Sequence, residues 1–382
     1  MDQMRPSTIR EILKITAQPD VISFAGGLPA PELFPVAEVR AAADQVLVRY
    51  GSQALQYGQS EGYAALREWI AVEMGKRGIK ATATDVLVTN GSQQVLDLMG
   101  KLYLNPGDVV LTENPTYLAA IQAFQTFEVK FVPVPTDENG LIPEALPELI
   151  RQHHPKFLYT IPNFQNPTGI TLSAPRRERL AKLAAEHHLL VVEDDPYGKL
   201  RYRGTDIPPI KHWDETGQVV YASTFSKTIA PGIRTGWLIA PPEIFKRLLI
   251  LKQASDLHTS SFDQILAYLY LTNNDQVAHL NKIRRCYGER YDVLDSTLRS
   301  AMPAGYSWTK PEGGMFLWIT GPKELDSLEL LQRCIAQKVA FVPGRDFFPA
   351  DAGRNFLRLN YSNSTPERIR EGVGRIAALC RT

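Results

Sequence analysis

Short apolar and β-branched runs alternate with helical stretches from Asp85 onward, and this alternation constrains the fold more than any other feature of the sequence. The predicted strands are 86–89, 109–112, 130–134, 157–160, 189–193, 219–222 and 237–240. Strands separated by helices pair mostly in parallel, and their near-continuous apolar character indicates that helices cover both faces. The sequence therefore predicts an α/β fold with a mostly parallel seven-stranded sheet, which binds ligands outside the carboxyl ends of its strands.

The size and composition of the chain limit its function. With 382 residues it is longer than one hydrophobic core supports, so we expect a large domain and a smaller one. Its 42 basic and 41 acidic residues are balanced, and no basic stripe suits nucleic acid. We find neither an apolar run that could cross a bilayer nor a signal-peptide pattern, and three cysteines without paired spacing favour a reducing cytoplasm. Small molecules are therefore the expected partners, without metal, nucleic acid or membrane.

The segment 223–234 (STFSKTIAPGIR) follows a predicted strand and sets Lys227 between hydroxyl side chains and an arginine. A lysine that is partly desolvated, or lies near a cation such as Arg234, loses its proton readily and can form a Schiff base with a carbonyl. The hydroxyls of Thr224 and Ser226 and the Arg234 guanidinium are donors suited to a phosphate. A phosphate beside a Schiff-base lysine predicts pyridoxal 5′-phosphate as cofactor. Taken alone, the segment is equally compatible with a solvated surface lysine.

Polar residues follow other predicted strands in the same way. Ser92 and Gln93 open a helix, whose free N-terminal amides, with the Ser92 hydroxyl, can bind a phosphate. An ordinary N-cap is the alternative. Two prolines and a glycine fix the loop 162–169 (PNFQNPTG), where the Asn166 amide can donate to a phenolate oxygen.

Charged residues mark two more predicted strands. Asp194 and Asp195 follow the fifth strand, and their positions alone do not say which of them serves a ligand. In the alternating run 355–362 (NFLRLNYS), Arg358 stands in an otherwise apolar strand, where an arginine needs an anion. A solvated loop and a surface ion pair are the respective alternatives.

In order and spacing, these segments resemble the class I aminotransferases of pyridoxal-phosphate fold type I. The matching segments are GSQQ at 91–94, NPTG at 166–169, DDPY at 194–197, SKTIAPGIRTGW at 226–237 and FLRL at 356–359. Thr224 stands where the family has a serine, and it keeps the hydroxyl. A short helix predicted at 6–17 and the loop AGGLP at 25–29 resemble the α-aminoadipate and kynurenine aminotransferase branch.

The resemblance implies a role for each residue around the cofactor. Lys227 would carry the cofactor, Asp194 would face the pyridine nitrogen, and Tyr117 would stack on the ring. Asn166 and Tyr197 would share the phenolic oxygen. The residues implied for the phosphate are Ser92, Gln93, Thr224, Ser226 and Arg234, with Tyr57 reaching the cofactor of the neighbouring subunit.

The resemblance also implies a substrate site and a homodimer. Arg358 would grip the α-carboxylate of the amino acid, with Asn166, Gly26 and Arg10 beside the substrate. A solvated helix arginine is the alternative for Arg10, and a core tyrosine is the alternative for Tyr57. The implied domains are an N-terminal segment 1–43 that joins the small domain and the substrate pocket, a large cofactor-binding domain 44–284 and a small α+β domain 285–382.

The implied activity is a ping-pong transfer of an amino group from an L-amino acid to 2-oxoglutarate, in which the freed Lys227 moves the α-proton. The branch points to 2-aminoadipate, as in lysine biosynthesis, and aromatic amino acids, kynurenine and branched-chain amino acids are the alternative donors. The same residues are compatible with β-elimination or decarboxylation, because the cofactor carries the chemistry. A third alternative is the effector-binding half of a MocR-type transcription regulator.

Overall fold

The strands lie close to their predicted positions in the computed structural model, which describes residues 18, 20–350 and 352–381. They are β1 (Ile22–Ser23), β2 (Val86–Thr89), β3 (Val109–Thr112), β4 (Lys130–Pro133), β5 (Thr136–Asp137), β6 (Gly140–Leu141), β7 (Phe157–Thr160), β8 (Val191–Asp194), β9 (Val219–Thr224), β10 (Gly236–Ile239), β11 (Ser307–Trp308), β12 (Phe316–Thr320), β13 (Val339–Ala340), β14 (Val342–Pro343) and β15 (Phe356–Asn360).

The helices fill the intervals between the strands. They are α1 (Val36–Gln45), α2 (Gly51–Leu55), α3 (Ala64–Gly75), α4 (Ser92–Tyr103), α5 (Leu118–Gln125), α6 (Leu146–His153), α7 (Ala174–Glu186), α8 (Pro242–Asp256), α9 (Ser261–Asn273), α10 (Gln276–Ala301), α11 (Ser327–Ala336) and α12 (Pro366–Cys380). Helix α1 is followed by a π-helical turn, Val46–Tyr50. The helix predicted at 6–17 lies outside the described residues.

The central sheet has the strand order β2-β10-β9-β8-β7-β3-β4. Strand β10 runs antiparallel to its neighbours β2 and β9, and the other pairs are parallel. The predicted mostly parallel, seven-stranded sheet is therefore confirmed. Because β10 is reversed, its first residue lies at the same edge of the sheet as the carboxyl ends of the parallel strands.

Both faces of the central sheet are packed, as the apolar strands predict. In β2, Leu87 belongs to the core on one face with Leu96 of α4, whereas Val86 and Val88 belong to the core on the other face with Ile70 of α3. Successive strand residues point to opposite faces, so a strand covered on both sides must be apolar throughout. All four residues of β2 are buried.

A smaller antiparallel sheet, in the order β11-β12-β15-β14, carries the C-terminal part of the chain. Strand β1 pairs in parallel with β13, so the N-terminal strand joins this part of the molecule. Helix α10 runs across the predicted boundary between 284 and 285 without a break, and the division into 1–43, 44–284 and 285–382 stays a prediction. Within the described ranges, no helix is long and apolar enough to cross a membrane.

Two glycines of α12 offer a direct test of how this helix packs on the N-terminal strand. A Cβ on Gly372 would lie 2.6 Å from the Phe24 ring and 2.8 Å from Ile22, whereas one on Gly374 would meet nothing within 4 Å. We expect Gly372→Ala to lower the free energy of unfolding by about 1–3 kcal/mol through overpacking. Gly374→Ala should raise it by about 0.5–1 kcal/mol, because alanine favours helix. Urea unfolding of both variants measures the difference, and equal shifts would contradict the packing described.

Candidate active site

The carboxyl edge of the central sheet meets the small sheet at a cavity of about 500 Å³. Loops that follow β2, β3, β7, β8 and β9 line it from one side, and Arg358 of β15 lines it from the other. The predicted site residues that line this one cavity are Ser92, Gln93, Tyr117, Asn166, Asp194, Tyr197, Thr224, Ser226, Lys227, Arg234 and Arg358. They are separated by up to two thirds of the sequence, and the topology brings them together because parallel strands end at the same edge.

Lys227 is partly buried, and its Nζ donates to the Gly27 carbonyl oxygen at 2.9 Å. It lies on the short turn that follows β9, a strand whose six residues are all buried. Burial, together with the nearby cations Arg234 and Arg358, lowers the pKa of Lys227 to about 8. At pH 7, roughly one amine in ten is therefore unprotonated and able to attack a carbonyl.

The adjacent acids at the end of β8 have different partners. Asp194 lines the cavity, and its Oδ2 accepts a hydrogen bond from the Tyr159 hydroxyl at 2.9 Å. Its buried Oδ1 has no hydrogen-bond partner among the described residues. Burial and the charge of Asp195 together raise the pKa of Asp194 to about 7, against the opposing hydrogen bond from Tyr159. Asp194 thus presents an unsatisfied acceptor to the cavity.

Asp195 is fully engaged behind the site. It accepts hydrogen bonds from Arg77 Nη1 at 2.7 Å, from the Tyr221 hydroxyl at 3.0 Å and from Asn163 Nδ2 at 2.8 Å. Burial opposes its ionisation, but Arg77 and these hydrogen bonds outweigh burial and hold the pKa of Asp195 below its ordinary value. The two neighbours therefore differ in their surroundings, with Asp194 toward the cavity and Asp195 in the scaffold.

Asn166, Tyr197 and Arg358 form a connected group on the opposite wall. Asn166 Oδ1 accepts from Arg358 Nη1 at 2.9 Å, and Asn166 Nδ2 lies 3.5 Å from the Tyr197 hydroxyl. Arg358 is 2% exposed, and its guanidinium lies 4.4 Å from the centre of the Phe316 ring. Its buried Nε has no partner within the described part of the chain. Burial lowers the pKa of Arg358 to about 10, so it remains a cation near neutral pH, with a free donor.

Hydrogen-bond donors cluster where α4 begins. The helix starts at Ser92, after Gly91 at φ 72°, and a side chain at this position would come within 2.6 Å of Arg234 Nη2. Glycine therefore serves both the turn and the close approach of Arg234. Thr224 Oγ1 and Ser226 Oγ lie 2.9 Å apart on the turn after β9. Helix amides, hydroxyls and a guanidinium together make an anion site.

Two predicted site residues that the structure describes, Tyr57 and Gly26, do not line this cavity. Tyr57 is 77% exposed and packs edge-on against His258. Gly26 is buried beside the cavity, and its neighbour Gly27 lines it instead. Arg10 lies outside the described residues.

The sequence analysis missed several residues that shape the site. Tyr159 donates a hydrogen bond to Asp194, and Arg77 donates one to Asp195 from 118 positions away in the chain. Phe316 and Gln122 line the cavity. No local pattern marks any of them, although the position of Tyr159 inside a predicted strand could have placed it beside the next strand.

Comparisons with known proteins agree with this arrangement. The family model for aminotransferase class I and II matches residues 19–376. The chain is 46% identical to aromatic-amino-acid aminotransferase 1 of Thermococcus litoralis over 98% of this chain and 91% of that protein. It is 42% identical to 2-aminoadipate transaminase of Thermus thermophilus over 98% and 94%. It superposes on Pyrococcus horikoshii kynurenine aminotransferase, solved with PMP, with a TM-score of 0.95 and 42% identity over 99% and 95% of the two chains.

The depressed pKa of Lys227 makes a prediction about the cofactor-free protein. We expect Lys227→Met to raise the free energy of unfolding at pH 7 by up to about 3 kcal/mol, because it removes a buried charge. The pKa is about 8 in the folded protein and 10.5 ordinarily, so the unfolded chain binds more protons between these pH values. Wild-type stability therefore rises across this window, and the advantage of the variant should shrink from pH 8 to 10.5.

Urea unfolding of both proteins at several pH values measures this difference. Lys246→Met is the matched control, because Lys246 is 69% exposed and should give no pH-dependent gain. An advantage of Lys227→Met that stays constant from pH 7 to 10.5 would contradict the assignment of the shifted pKa to Lys227.

Proposed function

The chain belongs to the class I and II aminotransferases, and from this premise we propose that it transfers the amino group of 2-aminoadipate, and of aromatic and branched-chain amino acids, to 2-oxoglutarate. It is an aminotransferase that depends on pyridoxal 5′-phosphate and acts on amino acids and 2-oxo acids. The proposal concerns which amino acids it uses and which residues of this chain serve the reaction.

One observation carries the residue assignment. The amine of Lys227, with a depressed pKa, shares a cavity with a buried carboxylate on one side and a buried arginine on the other. The carboxylate of Asp194 and the guanidinium of Arg358 each keep one buried polar atom without a partner among the residues described. Buried polar atoms without partners cost free energy, so a ligand that pairs with both would stabilise the site.

The residues at the cavity fit the cofactor. We assign the covalent attachment to Lys227, the pyridine nitrogen to Asp194 Oδ1 and the phenolic oxygen to Asn166 and Tyr197. Tyr117 would stack on the ring. The phosphate is assigned to the donor cluster at the start of α4 and the turn after β9, namely Ser92, Gln93, Thr224, Ser226 and Arg234.

Chain residues would move the proton and hold the substrate. When bound, the cofactor supplies an electron sink that lets the α-proton of the amino acid leave. Lys227 Nζ, once free, would take this proton, since its depressed pKa gives it a larger neutral fraction near pH 7 than an ordinary lysine has. Arg358 would hold the α-carboxylate with Nε and an adjacent N–H, which fixes the direction of the bond that breaks.

The remaining lining suits an uncharged side chain. Besides the groups already assigned, the cavity is lined by residues without charge, among them Leu118, Ala119, Gln122, Ile161 and Phe316. Such a wall supports aromatic and branched-chain donors. A second carboxylate, as in 2-aminoadipate, would need a donor such as Gln122 or the cation of Arg10.

We also infer a homodimer. Large apolar side chains are exposed along one stretch, with Val48 at 84%, Leu55 at 73% and Tyr57 at 77% exposure. Exposed apolar surface of this kind marks a binding surface. A second subunit that covers this stretch would bring Tyr57 to the cofactor phosphate of its neighbour.

Two other functions would give different outcomes with an amino acid. A lyase would release ammonia or carbon dioxide from the amino acid, and an effector-binding module would bind it without turnover. The Thermococcus relative is named for aromatic amino acids. Together with the uncharged cavity lining, this favours aromatic donors as the second candidate for this chain.

The half-reaction tests the proposed activity. We expect the cofactor of the purified protein to convert to pyridoxamine 5′-phosphate when 2-aminoadipate, phenylalanine, leucine or kynurenine is added without an oxo acid. Absorbance records the conversion and ranks the donors. Lys227→Ala should bind the cofactor without this conversion, because it lacks the attacking amine and the base.

The products decide between the alternatives. One oxo acid per cofactor, without ammonia or carbon dioxide, supports transamination, and 2-oxoglutarate should then restore the starting spectrum. Release of ammonia would indicate a lyase. A stable bound amino acid with no spectral conversion would indicate an effector-binding module.

Arg358→Lys tests the substrate carboxylate site. Lysine keeps the charge but loses the planar fork, so we expect kcat/KM for amino donors to fall about 10- to 100-fold. The factor should be similar for 2-aminoadipate and phenylalanine, because both share the α-carboxylate. Arg375→Lys, at an arginine paired with Glu371 on α12, is the control. A loss confined to 2-aminoadipate would instead assign Arg358 to the side-chain carboxylate.

A further inference from the structure

An ion pair between a fully buried lysine and a partly buried aspartate lies behind the start of α4, outside the residues assigned to the cofactor. Lys252 and Asp256 are one turn apart on α8, with Lys252 Nζ 3.0 Å from Asp256 Oδ1 and 3.1 Å from Oδ2. The Lys252 side chain is 0% exposed. Lysine is almost never fully buried unless it is paired, so this position calls for an account.

The ion pair holds the loop between β2 and α4 through several contacts. Asp256 Oδ2 accepts from Asn90 Nδ2 at 2.5 Å and from Gln94 Nε2 at 2.7 Å. Gln94 Oε1 accepts from the Asn90 backbone N–H at 2.9 Å and from Lys252 Nζ at 3.0 Å. Both ends of the loop that precedes and opens α4 are therefore fastened to one carboxylate.

The same loop carries groups assigned to the phosphate. Ser92 and Gln93 lie between Asn90 and Gln94 and line the cavity. The Asn90 carbonyl oxygen accepts from Arg234 Nη2 at 3.2 Å. A shift of the loop would thus move both the helix amides and the Arg234 guanidinium.

The backbone after Asp256 is strained, which is a second sign that its position is fixed. Leu257 has φ 65° and ψ −58°, and the His258 N–H donates to the Asp256 carbonyl at 2.7 Å. A non-glycine residue in this conformation is strained, and it persists only where its surroundings hold it. Thr259 Oγ1, which lies 3.1 Å from Lys252 Nζ, anchors the far side of this turn.

We propose that Asp256, held by the buried Lys252, is a positioning residue for the cofactor phosphate: it fixes the loop 90–94 so that the Ser92 and Gln93 amides and Arg234 converge on one anion. The proposal rests on the phosphate assignment made above. Asp256 does not line the cavity, so it acts through Asn90 and Gln94 and not by contact with the ligand.

The test compares two ligands that differ only in the phosphate. Pyridoxal 5′-phosphate and pyridoxal are titrated into the cofactor-free protein, and fluorescence gives each dissociation constant. Asp256→Asn removes the charge and leaves one acceptor oxygen for three donors. We expect it to weaken binding of pyridoxal 5′-phosphate about tenfold, the effect of one lost charged hydrogen bond, and to leave pyridoxal binding unchanged.

Asp97→Asn is the matched control. Asp97 pairs with Lys101 one turn along α4, and its side chain is 46% exposed. This variant makes the same chemical change, but on α4 itself and away from the loop 90–94, and both dissociation constants should stay at the wild-type values. Asn90→Ala is a second variant that removes one loop contact without breaking the ion pair, and it should reproduce the phosphate-selective loss if Asp256→Asn does not fold.

Arg234→Leu separates failure of this inference from failure of the phosphate assignment. If Arg234→Leu loses affinity for pyridoxal 5′-phosphate selectively and Asp256→Asn and Asn90→Ala do not, Asp256 is not a positioning residue. Equal weakening of both ligands by Asp256→Asn would also overturn the inference, because it would mean general damage. If Arg234→Leu does not weaken binding of pyridoxal 5′-phosphate relative to pyridoxal, the phosphate lies elsewhere. The phosphate assignment and the positioning role of Asp256 are then both wrong.

Discussion

Positive charge gathered in one cavity is the constraint on which the rest of the structure depends. Lys227, Arg234 and Arg358 line the same space, and among the described lining residues Asp194 is the acid that faces them. Burial and mutual repulsion lower the pKa of Lys227, and burial lowers that of Arg358. Such a site is costly when empty and is stabilised by anions. A phosphate and a carboxylate, the anionic groups of the cofactor and substrate of an aminotransferase, would supply this compensation.

Strand geometry separates the two adjacent acids at the end of β8. Successive residues at the end of β8 face different surroundings, so Asp194 opens to the cavity while Asp195 is bound by Arg77, Tyr221 and Asn163. Because Asp195 stays ionised, it helps raise the pKa of Asp194 to about 7. Asp195 in the scaffold thus raises the pKa of Asp194 in the site. A substitution at Arg77 would therefore change the pKa of Asp194, although Arg77 does not line the cavity.

Local patterns foretold much of the fold, and tertiary contacts account for what they missed. The central strands were predictable because burial on both faces leaves a continuous apolar run, as in β9. The positions of Lys227 and Asp194 at strand ends followed from the same pattern. The two residues by themselves did not predict that Asp194 lies in the cavity and Asp195 outside it. Only the alignment with the family motif distinguished them. In the sequence, Lys252 and Asp256 show only the four-residue spacing of an ion pair on a helix. Their contacts with a loop about 160 positions earlier leave no local signal.

The range of amino donors follows from where charge is absent. The fold supplies one arginine suited to an α-carboxylate. The uncharged lining at Leu118, Gln122 and Phe316 distinguishes neutral side chains only weakly, because one methylene changes the binding free energy by about 1–3 kcal/mol. Under the proposed function, a cavity of this kind would accept aromatic and aliphatic donors alike. A distal carboxylate needs one additional cation, and among the residues described the lining offers no arginine or lysine beyond the three already assigned. One residue brought in from outside this wall, such as Arg10, would therefore decide whether a dicarboxylic donor is preferred, while the reaction itself stays the same.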